Sequence, residues 1–351
     1  MTTQSDRQRA RRKAPTIHDV ARRAGVSRMT VSRVINGEKG VRPATRRLVD
    51  AAIRELDYAP NLAARSLAGV ATLRIGLLYR IPNPAYLTEF LLGALEGCSR
   101  INAQLIVQRH PLSAGEAAAA EALIDARLDG VILPPPLGDA NLLVDRLRGA
   151  GMKVVATGST RPAPSLATIG IDDFGAAREM TRHLVRLGHR RIGYITGRPN
   201  HASSGLRQQG YCAALEEAEI AIDERLIATG NFTYRSGLEA AEHLLSLDDV
   251  PTAIFASNDD MAAATIAAAH RCGLDVPADL SVCGFDDTPL ATTIWPELTT
   301  IRQPVAAMSD EAVTMLAGMI RGSNGDDGNV PHRMLDFELI RRQSDAPPRR
   351  R

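Results

Sequence analysis

Between positions 27 and 36 the chain presents Ser27, Arg28, Met29, Thr30, Ser32, Arg33 and Asn36. This set of side chains suits contact with a nucleic acid. An Arg guanidinium can donate two hydrogen bonds to guanine O6 and N7, whereas Met offers only apolar contact, for instance to a thymine methyl. Ser27, Thr30, Ser32 and Asn36 suit phosphate oxygens, which fix register and carry little sequence information. Each of these residues alone also has a reading as a solvated helix position. They act together only if one rigid element points them outward. Val31, Val34 and Ile35 supply the opposite, apolar face of such a helix, and Ser27 stands where its N-cap belongs.

The residues just upstream complete the unit. Ile17, Val20, Ala21 and Ala24 fall at i, i+3, i+4 and i+7, one face of a first helix. Thr16 precedes them with Asp19 three residues on, close to a capping box, and Gly25 ends the helix where a left-handed backbone is needed. The pair reads as a helix-turn-helix, whose second helix is the kind that lies in the major groove. A third helix is expected over 44–56, burying Leu48, Val49, Ala52, Ile53 and Leu56. Helical hairpins with Gly in the turn are common, so the charge distribution matters. Residues 1–69 hold 15 Lys and Arg against 6 Asp and Glu, and the remainder holds 27 against 34. A basic segment on a near-neutral body points to a nucleic-acid module. Residues 1–15, with Arg7, Arg9, Arg11, Arg12 and Lys13, are expected to be a disordered basic arm, able to touch phosphates or serving as a plain flexible tail.

Beyond Gly69 the pattern changes to short apolar runs alternating with helical segments. Strands are expected over 73–79, 105–108, 130–133, 153–157, 191–196, 225–228, 253–256 and 280–284, with helices between them. That alternation implies parallel sheets covered by helices on both faces. About 270 residues of it exceed one small sheet, so two lobes are expected, with ligands bound beyond the carboxyl ends of the strands in the cleft between them. The 351 residues are 44% hydrophobic, enough for substantial cores. The N-terminus has no apolar run and no stretch approaches a membrane span. Cys98, Cys212, Cys272 and Cys283 are scattered without a C-x-x-C and read as reduced thiols. Cytoplasmic localisation is expected.

The stretch TIHDVARRAGVSRMTVSRVINGEKGVRPATRRLVDAAIRELDYAPNLAARSLAG resembles the DNA-binding headpiece of LacI/GalR-family transcription regulators over Thr16 to Gly69 without a gap. The resemblance implies a helix-turn-helix headpiece at 16–60, a hinge helix and linker at 61–72, a two-lobed effector-binding and dimerisation domain at 73–345, and a tail at 346–351. The all-α headpiece would be joined to an α/β core like that of periplasmic binding proteins, its lobes linked by three crossovers. Arg28, Met29 and Arg33 match positions that face base edges. Asn61, Ala64 and Leu67 match the hinge segment, which orders on operator DNA with a Leu wedged between bases; such wedges kink DNA at the cost of unstacking. One departure is visible: Arg42 and Pro43 stand where relatives often have a small hydroxyl cap.

The body resembles the same family through Asp129-Gly130, Gly188-His189-Arg190-Arg191-Ile192, Ser257-Asn258-Asp259, Gly284-Phe285-Asp286-Asp287 and Pro296-Glu297-Leu298-Thr299-Thr300. By position Arg207, Asn258 and Asp286 match polar effector contacts, Phe232 an aromatic that stacks on the ligand, and Tyr86 and Arg80 the cleft loop of the first lobe. An aromatic face with Arg, Asn and Asp suits a polyhydroxyl ligand, so a small polar effector, a sugar, is expected. Each of these residues also has a structural reading: Asn258 and Asp286 as caps or turn formers, Arg207 as an interlobe ion pair, Tyr86 and Phe232 as core. Pro134 and Gly158 stand where sugar-binding relatives carry an amide and a carboxylate.

No G-x-x-x-x-G-K-[ST], G-x-G-x-x-G, H-E-x-x-H or G-x-S-x-G is present, and His183 and His189 are poorly spaced for a metal. His189 reads as a turn or helix-end residue. The expectation is therefore a repressor without enzymatic activity, cofactor or metal. It would bind pseudo-palindromic double-stranded operator DNA as a homodimer, with no membrane partner. Two alternatives stay open: a family member sensing a purine or other non-sugar ligand, and a sugar-processing protein with an appended headpiece.

Overall fold

The computed structural model describes residues 15–35, 40–56, 58, 72–80, 83–110, 115–158, 166–199, 201–322 and 330–349. The chain divides into two compact units between Thr72 and Leu73.

The first unit is helical: α1 (Ile17–Ala24), α2 (Arg28–Ile35) and α3 (Pro43–Glu55). Its core is Val20 and Ala21 from α1, Val31 and Val34 from α2, and Val49 and Ala52 from α3. Pro43 opens α3, where a missing N–H costs nothing. Leu48, expected inside, is 57% exposed. The inward line of α3 runs through Val49, Ala52, Ile53 and Leu56, spaced i, i+3, i+4 and i+7, and position 48 falls just off it. Asn36, Asn61, Ala64 and Leu67, expected at the DNA, and most of the basic arm lie outside the described residues.

The second unit holds two six-stranded sheets. The first lobe takes β1 (Arg74–Tyr79), α4 (Pro84–Ile101), β2 (Gln104–Arg109), α5 (Glu116–Asp125), β3 (Gly130–Leu133), α6 (Asn141–Gly149), β4 (Lys153–Thr157) and β5 (Ala167–Ile171). The second takes α7 (Asp173–Arg186), β6 (Ile192–Thr196), α8 (Ala202–Glu217), β7 (Ile227–Thr229), α9 (Tyr234–Leu245), β8 (Ala253–Ala256), α10 (Asp259–Arg271), β9 (Ser281–Asp286), α11 (Leu290–Thr293) and β10 (Thr299–Arg302). The chain then returns through α12 (Val305–Arg321) to β11 (His332–Leu335) in the first sheet and crosses again to β12 (Glu338–Ile340) in the second. The sheet orders are β11-β5-β4-β3-β1-β2 and β12-β10-β9-β8-β6-β7. All pairings are parallel except β10 with β12. Three segments thus cross between lobes: β5 to α7, β10 to α12, and β11 to β12.

Parallel sheets covered on both faces need strands that are apolar throughout, and β3, β5, β6 and β8 are buried at every position. The expected alternation ended near Gly284; the structure adds β5, α11, β10, α12, β11 and β12. The strand expected at 225–228 starts at Ile227, because the Asp223 side chain accepts the Arg225 N–H at 3.1 Å and winds 224–226 into a single 3-10 turn. The C-terminal segment is bonded into the second lobe. Ser344 is fully buried, accepts the Thr299 N–H at 2.8 Å and donates to the Val282 carbonyl at 2.6 Å. His189, expected as a turn or helix-end residue, follows the end of α7 and is buried between the Thr252 hydroxyl and the Ala346 carbonyl, each at 2.9 Å.

Candidate functional site

Two surfaces gather the residues singled out above. In the helical unit, the Asp19 carboxylate accepts the Thr16 N–H at 2.9 Å and the Thr16 hydroxyl at 2.7 Å, which starts α1. Hydrogen bonds from Thr16 hold that carboxyl below its ordinary range. Gly25 closes α1 at φ +68°, and its N–H donates to the Ala21 carbonyl. The chain then turns directly into α2, where Ser27 Oγ accepts the Thr30 N–H at 3.1 Å. The Ser27 and Thr30 hydroxyls also meet each other, at 2.9 Å.

At about 100° per residue, positions 28, 29, 32 and 33 share one arc of α2, opposite Val31 and Val34. Arg28 and Arg33 are exposed, Ser32 is half-buried, and Met29 keeps 67% of its surface in solvent. The Arg46 guanidinium donates to the Val34 carbonyl at 3.4 Å, bracing the end of α2 from α3. A short helix braced by two others thus holds two guanidinium groups and a thioether side by side, as base-edge contact requires.

In the second unit a cleft lies between the lobes. Of the six expected effector residues, Tyr86, Arg207, Phe232, Asn258 and Asp286 line it; Arg80 does not. Asn83, Asp173, His201, Ser203, Gln303 and Met308 also line it and were not singled out from the sequence. Asn83 was findable: Asn followed by Pro before an apolar helical run is a helix-start signal. Its Oδ1 accepts the Ala85 and Tyr86 N–H groups at 2.8 and 3.2 Å. The others carry no local signal, because only the meeting of three strand ends and a crossover brings them together.

Arg207 is the centre of the constellation. Its Nε donates to Asp173 Oδ1 at 2.7 Å and its terminal nitrogen to the Ser257 carbonyl at 2.7 Å. The guanidinium lies 3.5 Å over the Phe285 ring, with Asp286 at 3.9 Å. The pair with Asp173 stays within the second lobe, since α7 packs on α8, so it is not the interlobe ion pair weighed above. Burial raises the Asp173 carboxyl and pushes Asp286 up to about 7, with Arg207 acting in the other direction on both. Gln303, on the crossover into α12, donates to Asp286 Oδ1 at 2.6 Å. Asp286 itself sits at φ +114°. Such strained backbone persists where surroundings over-determine it, commonly at ligand sites.

Asn258 is both a cap and a cleft residue. Its Oδ1 accepts the Met261 N–H at 3.1 Å, starting α10, and its amide donates to the Phe232 carbonyl at 3.2 Å. Phe232 has φ +68° and lays its ring 5.2 Å from that of His201. A Cβ at position 197 would fall 2.0 Å from the Phe232 ring, so Gly197 makes room for it. Two contacts span the cleft: Asn83 Nδ2 donates to Asp260 Oδ2 at 2.5 Å, and the Ala202 N–H donates to Asp139 at 3.2 Å. Trp295, the single Trp, is 76% exposed and does not line the cavity. Gly158 lines it beside Pro135, so this wall offers no amide or carboxylate.

Comparison with known proteins matches residues 16–61 to "Bacterial regulatory proteins, lacI family" and residues 181–344 to "Periplasmic binding protein-like domain". The chain is 36% identical to the HTH-type transcriptional repressor PurR of Proteus mirabilis (strain HI4320), over 94% of this chain and 97% of that protein. Among solved structures it resembles a transcriptional regulator CelR–cellobiose complex, with a TM-score of 0.72 and 33% identity over 94% of this chain and 99% of the other. It also resembles the lac repressor dimer bound to operator and the anti-inducer ONPF, with a TM-score of 0.75 and 29% identity over 95% and 100% of the two chains.

Proposed function

The chain belongs to the lacI family of bacterial transcriptional regulators, with a DNA-binding headpiece and a ligand-binding core, and from that premise we propose that a homodimer of it, in the cytoplasm, represses transcription until a sugar enters the interlobe cleft. The observation that carries the effector reading is the buried set around Arg207. Asp173, Asp286 and Asn258 line the cleft together with the Phe232 face. Their mutual hydrogen bonds hold these polar groups in fixed orientation around the cleft, and a flat aromatic face accepts the C–H side of a sugar ring. Similarity to a regulator solved with cellobiose supports the same reading.

Two headpieces related by two-fold symmetry read two half-sites, so the operator is a pseudo-palindrome. Arg28, Met29 and Arg33 read base edges, while Ser27, Thr30, Ser32 and Asn36 hold phosphates. Asn61, Ala64 and Leu67 enter the minor groove from the hinge. The core only binds its ligand and catalyses no reaction on it.

A thermal-shift screen against monosaccharides, disaccharides and purines tests the reading, because a ligand of the native state raises the midpoint by mass action. A sugar hit that Arg207→Ala or Asn258→Ala abolishes is the expected result. Hits confined to purines would favour the second reading, a nucleobase effector, for which the flat Phe232 ring is equally suited. No hit, or one indifferent to both substitutions, would remove the cleft from effector binding.

A further inference from the structure

The two ends of the cleft differ in charge. Asp173 and Asp286 stand with Arg207, two carboxyl groups to one guanidinium. The other side is built from three strand ends. Arg80 follows β1 and His110 follows β2, side by side, because Tyr79 pairs with Arg109 and the His110 N–H donates to the Tyr79 carbonyl at 2.9 Å. From the facing lobe, the loop after β6 brings Arg198 and His201. His201 lines the cavity.

Neither Arg80 nor Arg198 forms an ion pair among the described residues, and both are half-buried. Arg198 makes one long hydrogen bond, to the Asn231 carbonyl at 3.4 Å. His110 is 3% exposed, and its Nε2 finds no hydrogen-bond partner among the described residues. The charges that act on His201 are Arg198, Arg207 and Arg80, with no acid among them; with burial, they hold its pKa down at about 4. Burial and Arg80 act on His110 in the same direction, and Glu116 acts in the other. The nearby Asp139 accepts the backbone N–H of Ala202. Half-buried guanidinium groups left without a carboxylate, beside a buried imidazole with an idle nitrogen, carry a desolvation cost that an anion would offset.

We infer that this end of the cleft is an anion subsite, so that the effector is a sugar bearing a phosphate or carboxylate group that sits among Arg80, His110, Arg198 and His201. The inference rests on the sugar reading of the cleft and deepens it. Of these four residues only His201 lines the cavity, so the subsite joins the cleft at His201.

The test titrates the full-length protein by calorimetry with glucose and glucose 6-phosphate, fructose and fructose 6-phosphate, ribose and ribose 5-phosphate, and with gluconate. In at least one pair the ester is expected to bind about tenfold more tightly than its parent, the gain of one charge-assisted contact. That advantage shrinks to about two- to threefold in Arg80→Gln and in Arg198→Gln, and in the unaltered protein it falls as salt rises. Gluconate binding like the ester identifies any anion as the recognised group, whereas ester binding alone identifies phosphate; both support the subsite. Parent sugars that bind as tightly as their esters overturn the subsite and leave the sugar reading intact. An ester advantage that survives both substitutions, or is independent of salt, overturns it as well. Silence from every ligand overturns the subsite together with the sugar reading.

Discussion

Arg207 donates to a carboxylate and a carbonyl and covers an aromatic ring at once, so its removal has two separable consequences. Arg207→Ala leaves the Asp173 carboxylate buried without a partner, which costs about 3–5 kcal/mol of stability and should appear in a denaturant melt. It also removes effector binding, read by calorimetry at a temperature where the variant remains folded. Titration of the cleft gives a second test. Burial lifts Asp286 to about 7 from a carboxylate value of 3.8. The folded chain therefore keeps a proton that the unfolded chain releases, and the resulting stability is present below 3.8 and is lost as pH rises towards 7. His201 runs the opposite way: its pKa falls from 6.5 to about 4, so the unfolded chain takes up a proton the folded one refuses, and stability is lost as pH falls through that range. The two slopes oppose each other. Asp286→Asn should make thermal stability rise more steeply between pH 4 and 6.5, and His201→Gln should make it fall; identical profiles for both variants and the parent would show that neither group is perturbed. In the headpiece, Arg33→Ala should relax preference at one operator position, by about 1–3 kcal/mol, measured by competition between operator variants.

Among the elements, the turn between α1 and α2 has the plainest physical requirement. Gly25 sits at φ +68°, and a Cβ added there would meet nothing within 4 Å, so Gly25→Ala suffers conformational strain and no clash. That strain costs about 1–2 kcal/mol and should appear as faster amide exchange across 16–56 in the full chain. The hinge is argued from sequence: Leu67→Ala should weaken specific operator binding far more than non-specific binding, and equal losses would remove the wedge. The headpiece was legible because its signals are local. Caps at Thr16 and Ser27, a Gly stop and a 3.6-residue period lie within one short stretch. The α/β alternation was legible for the same reason, since buried parallel strands are apolar runs. The signal for α12 was also present, with Val305, Met308, Ala312, Val313, Leu316 and Ala317 spaced along one face and Gly322 beyond, yet nothing local says that this helix leads back to the first lobe. Edge strands β11 and β12 hold no fully buried residue and no alternation, and so were silent. Cleft residues divide likewise: Asn258 and Asp286 sit in recognisable motifs, whereas Gln303 and Asp173 matter only through tertiary contacts with Asp286 and Arg207.

At the scale of the whole molecule, a basic headpiece is joined to a near-neutral core. Residues 1–69 carry 15 Lys and Arg against 6 acids, so operator affinity should fall steeply with salt, as phosphate neutralisation demands. The core supplies control only if its lobes have two arrangements that effector and operator favour unequally. The Asn83–Asp260 bond spans the cleft and Gln303 ties the Asp286 carboxylate to a crossover, so a ligand touching Asp286 acts on a segment that joins the lobes. Asn83→Ala removes a contact that favours the closed arrangement. If closure is the effector-bound arrangement, this variant binds effector more weakly, by the fraction of closed population lost. Linkage then fixes the last expectation. If effector lowers operator affinity by some factor, operator must lower effector affinity by the same factor, typically about 5- to 150-fold. Calorimetric titration of effector into the free protein and into its operator complex measures one factor, and operator binding with and without effector measures the other. Agreement of the two shows a single coupled equilibrium running from cleft to headpiece. An effector affinity that ignores the operator would mean that the cleft binds its ligand without governing the DNA.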